Sequence, residues 1–273
     1  MSKLKLMLLC MICLGVLGVA QEAPADQTTA PQWVVWMDGT QYVPEWSYVL
    51  EGVLQVMKPG ETGLLVAPGT QQRFSRQEDP AQVQNLVELI RPAFEQGAHR
   101  FTQMCNELSS AAAAITADES GGNAIRNYLS GRKQLLDMYA VSQKAFWNSL
   151  ENGLVPAGSR LLVLVQQFDV PTVGRDVLNA LSESPKLREW SIDLQSVSPW
   201  EQKSKVVKQL AEKLKVQKSR VDGFYLKYKA KTVNRGAEVS KAFFSGVSRL
   251  SKGTGGANGD LKSDSNEIAE NLK

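Results

Sequence analysis

Short continuous apolar runs alternate with longer amphipathic stretches along most of this chain. Trp33-Val34-Val35-Trp36-Met37 ends at Asp38-Gly39-Thr40, and Gly63-Leu64-Leu65-Val66-Ala67 ends at Pro68-Gly69-Thr70. Uninterrupted runs of this length fit strands buried on both faces, as in a parallel sheet. Between them Trp46, Val49, Leu50, Val53, Leu54 and Met57 share one helical face, and Lys58-Pro59-Gly60 stops that helix. Strand, helix and strand at this spacing predict a right-handed crossover between parallel strands.

Residues 79–115 carry a helical pattern opened by Asp79-Pro80-Ala81-Gln82, where Asp79 can cap and Pro80 loses nothing by lacking an N–H. Pro92 predicts a break or kink, with a second helical stretch from about residue 97 to Ile115. A loop over 118–122 leads to a helix from Asn123 to Leu150. The clearest strand is Arg160-Leu161-Leu162-Val163-Leu164-Val165, running into Gln166-Gln167-Phe168-Asp169. A short helix over 174–182 follows, and the alternation of Trp190 to Val197 predicts a strand near a sheet edge. Ser198-Pro199-Trp200-Glu201 is a capping box opening a helix with Val206, Val207, Leu210 and Leu214 inward and lysines outward. Phe224, Leu226 and Tyr228 alternate as a last edge strand, and Ala237 to Leu250 reads as a final amphipathic helix. The fold class is therefore α/β: an open, mostly parallel, Rossmann-like sheet with helices on both faces. The expected organisation is an α/β domain over 32–230 with a helical insertion at about 79–150, a basic amphipathic helix at 231–250, and a disordered Gly/Ser/Asn-rich tail at 251–273.

Composition adds a compartment. Lys3 and Lys5, an apolar core from Leu4 to Val19, and small residues Gly18 and Ala20 make residues 1–20 a cleavable signal peptide, followed by a flexible leader at 21–31. The mature chain is expected in the periplasm or the medium, without a membrane-spanning segment. Cys10 and Cys13 leave with the signal, so Cys105 is the single mature thiol and no internal disulfide can form. Net charge falls from +3 to +1 on losing the two signal lysines, yet residues 200–252 hold 14 basic and 4 acidic side chains. That segment, with Lys203, Lys205, Lys208, Lys213 and Lys215, can meet an anionic surface or simply form a solvated helix face. His99, the only histidine, lies six residues from Cys105 on a different helical face, which makes a poor catalytic dyad. No zinc cluster, nucleophile elbow or phosphate loop is present in the sequence, so an enzyme is not expected.

Open parallel sheets bind ligands beyond the carboxyl ends of their strands, and two such ends carry Asp38 and Asp169. At this point the order of elements resembles the von Willebrand factor A family. In that family an Asp-x-Ser-x-Ser motif ends the first strand, an aspartate ends a central strand, and a loop threonine completes a divalent-metal site used to bind proteins. Asp38 and Thr40 match the first aspartate and first hydroxyl, whereas Tyr42 stands where the second hydroxyl belongs. Asp169 matches the later aspartate, with Phe168 and Val170 replacing the flanking threonine and glycine, and Ser120-Gly121-Gly122-Asn123 resembles the loop, with Asn123 in place of threonine. The resemblance implies a non-enzymatic, VWA-like binding module for a protein ligand or cell-envelope component. It implies Mg2+ or Mn2+ held by Asp38, Thr40, Asn123 and Asp169. Taken from the residues alone, Asp38 and Asp169 can equally serve the turns that follow them. The alternative function is a structural envelope protein with an inert site, docked to an anionic surface through its basic segment 200–252. No nucleic-acid partner is expected.

Overall fold

All five residues of Trp33–Met37 are buried and form strand β1, as an uninterrupted apolar run requires when both faces of a sheet are covered. The computed structural model in which this is seen describes residues 30–38, 46–67, 70–76, 80–116, 122–167, 170–185, 187–195, 204–227, 237–261 and 264–273. Strands β2 (Thr62–Ala67), β3 (Thr70–Ser75), β4 (Arg160–Gln166), β5 (Arg220–Leu226) and β6 (Asn258–Asp260) complete a six-stranded sheet in the order β3-β2-β1-β4-β5-β6. Every neighbouring pair is parallel except β2 and β3. Chain order reverses between β1 and β4, the position at which open α/β sheets form their ligand crevice.

Helices cover both faces. On the first face, Trp33, Val35, Met37, Leu162 and Leu164 pack against Trp46, Leu50 and Val53 of α1 (Trp46–Val56) and against Ile268 and Leu272 of α8 (Ser265–Leu272). On the second face, Val34, Trp36, Val163 and Val221 meet the end of α3 (Gly122–Glu151), α6 (Ser204–Val216) and α7 (Ala237–Thr254). There Trp36, Phe146 and Phe243 pack at tilted and edge-on angles, with centroids 4.6 to 5.8 Å apart, the arrangement ring quadrupoles favour. A third cluster lies past the carboxyl edge of the sheet. It joins α2 (Pro80–Ala113) and the first half of α3 to α4 (Arg175–Glu183) and α5 (Arg188–Gln195) through Phe101, Leu108, Tyr128, Leu181 and Leu194.

Several expectations change. Trp190 to Gln195 belong to helix α5, because the inward positions are Leu187, Ser191 and Leu194, spaced four and three apart, and Ser196 and Val197 lie outside the described residues. β5 is not an edge strand: it lies between β4 and β6 and is buried on both faces, Tyr225 included. β3 was not expected, since its residues TQQRFS present only one half-covered face. Its Phe74 sits opposite Gly63 and fills the space a side chain there would need. α2 continues through Pro92 as one helix. The stretch expected as a disordered tail is ordered: α7 extends to Thr254, β6 pairs with β5, and α8 buries Ile268, Ala269 and Leu272. Its Gly, Ser and Asn residues serve turns and a close approach. Gly256 lies so near the Val221 carbonyl that no Cβ could be accommodated, and Asp264 caps α8 by accepting the Asn266 N–H at 2.8 Å. The sheet and its covering helices thus continue well past residue 230. The signal peptide, the leader up to residue 29, the Ser198 capping box and Tyr228 fall outside the described residues, and the end of the expected leader is fixed, since Pro31 is buried and its carbonyl accepts the Ser159 hydroxyl at 2.6 Å.

Candidate functional site at the carboxyl edge of the sheet

The β1–β4 ladder carries one residue past β1, because the Asp38 N–H donates to the Leu164 carbonyl at 2.9 Å. This anchors Asp38 at the crossover point and turns its side chain into the interior, where it is 1% exposed. Its carboxylate accepts the Tyr139 hydroxyl at 3.2 Å and the backbone N–H of Gln166. Burial pushes the Asp38 pKa up from 3.8 to about 7, and those two hydrogen bonds only partly oppose it. Tyr139 is held well above the usual phenol range, first by burial and then by the Asp38 charge.

Tyr139 and Gln143 lie one turn apart on the buried stripe of α3. Gln143 stands beside the Tyr139 hydroxyl and draws its titration down. Even so, neither amide atom of Gln143 meets a hydrogen-bond partner in proper geometry among the described residues, although the side chain is 1% exposed. A buried amide in that condition is ordinarily satisfied by water or a ligand. From β5 and α7 the Tyr225 hydroxyl and Ser240 hydroxyl pair at 2.9 Å, both buried. The ends of β1, β4 and β5 therefore carry a polar floor, roofed by α3. Further along α3, Tyr128 donates to the Pro171 carbonyl at 2.8 Å and Arg132 to the Asp193 carbonyl at 3.3 Å, which ties the helical layer over the same edge. Burial lowers the Arg132 pKa, partly offset by Tyr128.

Of the four residues expected to hold a metal, only Asp38 is found in this floor. Asn123 is exposed on the first turn of α3, sixteen residues before Tyr139, which at ~1.5 Å per residue is about 24 Å along the helix axis. It cannot share an ion with Asp38. Thr40 and Asp169 lie outside the described residues, and among those described no three His, Cys, Asp or Glu side chains converge. The described donors therefore supply one carboxylate of the roughly six oxygens that magnesium or manganese takes. Lys205, Lys208, Lys213 and Lys215 are exposed on α6, and Lys203 lies outside the described residues. His99 is exposed and Cys105 half-buried. Pattern reading missed Tyr139, Gln143 and Arg132. The signal was there: buried positions 125, 128, 132, 135, 139, 143 and 146 keep helical spacing, and polar residues interrupt the apolar stripe.

No helix among the described residues is long and apolar enough to cross a membrane. No family model matches the chain, and no curated protein matches it. Among solved structures it is similar to the human COPII-coat protein Sec24c, with a TM-score of 0.34 and 12% identity over 88% of this chain. The chain spans about 30% of that protein's length, and a likeness at this level carries no weight for function.

Proposed function

We propose that this chain is an exported, non-enzymatic, VWA-like binding module whose ligand surface is the carboxyl edge of the sheet around Asp38. The observation that carries the reading is a buried carboxylate at the crossover between β1 and β4, with a titration raised to about 7 and the buried Gln143 amide, without a well-formed hydrogen bond, nearby. Polar groups with uncompensated burial are costly and gather where something must bind. The strand order, with an aspartate closing the first strand, supports the VWA-like assignment. A divalent cation suits this edge because it would offset the buried Asp38 charge. It would need Thr40 and Asp169 as further ligands, and Asn123 has no part in it.

The test is thermal unfolding of the mature chain, kept whole through Lys273 so that α8 is present, with and without Mg2+ or Mn2+. Asp38→Ala is the control. An ion that binds only the folded chain adds about 2.7 kcal/mol at a hundredfold excess over its Kd. A midpoint shift lost in Asp38→Ala supports cation-assisted binding at this edge. No shift, or an equal shift in both, removes the cation. The edge itself is then tested with peptides selected on the wild-type chain, which should lose binding to Tyr139→Phe. Unchanged binding would place the ligand surface elsewhere.

A further inference from the structure

The helix layers on the two faces of the sheet carry opposite charge. α6 and α7 lie side by side on the second face, close enough that a Cβ on Gly253 would stand 2.8 Å from the Ala211 Cβ. Their outward positions expose Lys205, Lys208, Lys213, Lys215, Lys241, Arg249 and Lys252, and Glu212 is the one exposed acid among the described side chains of the two helices. On the first face, α1 and α8 carry Glu51, Glu267 and Glu270 and no basic residue within either helix, although Lys273, which caps α8, pairs with Glu270 at 2.6 Å. The sequence separates these groups, and the fold sorts them to opposite sides of one sheet.

We infer that the α6–α7 face docks the protein, in one orientation, on an anionic phospholipid surface. Two neighbouring parallel-packed helices make a broad platform rather than a cleft. Six of its seven cations are lysines, compact charges on flexible stems that answer a diffuse negative field, where arginine forks would mark shaped recognition. Among the described residues no exposed aromatic ring lies between them to stack nucleic-acid bases. Val216, 81% exposed at the end of α6 beside Lys213 and Lys215, adds an apolar contact at headgroup level. The acidic α1–α8 face would be repelled, which fixes the orientation and leaves the carboxyl edge of the sheet at the side. This inference is independent of the cation and of the Asp38 site.

The experiment is co-sedimentation of the mature chain with phosphatidylcholine vesicles, with and without phosphatidylglycerol, across a salt series. Binding is expected only to the anionic vesicles and should fall as salt rises. Reversing four exposed lysines together (Lys208→Glu, Lys215→Glu, Lys241→Glu and Lys252→Glu) should weaken it by about a hundredfold or more. The thermal midpoint of that variant reports that it folds. A control reversing Lys133 and Arg126, exposed on α3, should bind as the wild type does. Absence of binding at low salt, equal loss in the control, or binding to soluble poly(glycerol phosphate) but not to vesicles would each overturn the inference.

Discussion

Asp38 makes stability depend on pH in a direction opposite to that of a carboxylate whose pKa is lowered by a partner charge. Its pKa in the folded chain is about 7 against an ordinary 3.8, so between those values the folded chain keeps a proton that the unfolded chain releases. Stability from this group is therefore present at low pH and lost as pH rises through that window. Urea unfolding at pH 5 and pH 8 should show it. Asp38→Asn is expected to be more stable than wild type at pH 8, by about 1–3 kcal/mol, with a flatter dependence below that. Parallel pH slopes in the two proteins would refute the assignment. Asp222 is a buried acid with charged partners. It is fully buried on β5 but accepts from Arg160, from Arg220 at 2.9 Å and from the Ala257 N–H at 2.8 Å, while Arg160 also stacks 4.7 Å over Trp33. Asp222→Ala leaves two guanidinium groups facing each other without their shared anion and frees the turn into β6. A loss of about 3–5 kcal/mol is expected by denaturant titration.

At the scale of elements, close approach overrides propensity. Gly52 lies mid-helix in α1, where alanine would ordinarily add roughly 0.5–1 kcal/mol. Here its Cβ would stand 2.8 Å from the Ile268 side chain and 2.9 Å from the Ser265 carbonyl. Gly52→Ala should therefore destabilise the chain by lifting α8 away from α1, and a raised urea midpoint would contradict that packing. Leu272, fully buried at the far end of α8, should cost about 2–5 kcal/mol when cut to alanine. The same elements mark what was legible beforehand. β1, β2 and β4 announced themselves as apolar runs with turn residues after them, because burial on both faces leaves a continuous signature. α5 and β3 did not. A short helix with three inward residues imitates alternation over one turn, and an antiparallel edge strand needs only one covered face. α8 hid behind its composition: a run rich in Gly, Ser and Asn reads as unstructured until the fold supplies a groove for Ile268 and Leu272.

Across the whole molecule, the site was half legible. Asp38 stood out as an acid closing an apolar run, but its partner Tyr139 is 101 residues away, on a helix whose path over β1 no local pattern gives. Asn123 misled for the matching reason: resemblance of a loop motif says nothing about how far a 30-residue helix carries it from the sheet edge. The placement of α8 reaches beyond stability. α1 and α8 pack together across more than 200 residues of sequence, and with the start of α2 (Val87 and Ile90) they cover one face of the sheet. That pairing gives high contact order and slow folding. A nascent chain shorter than Leu272 lacks the helix against which α1 packs, so that side of α1 stays open to water and proteases until the last helix has emerged.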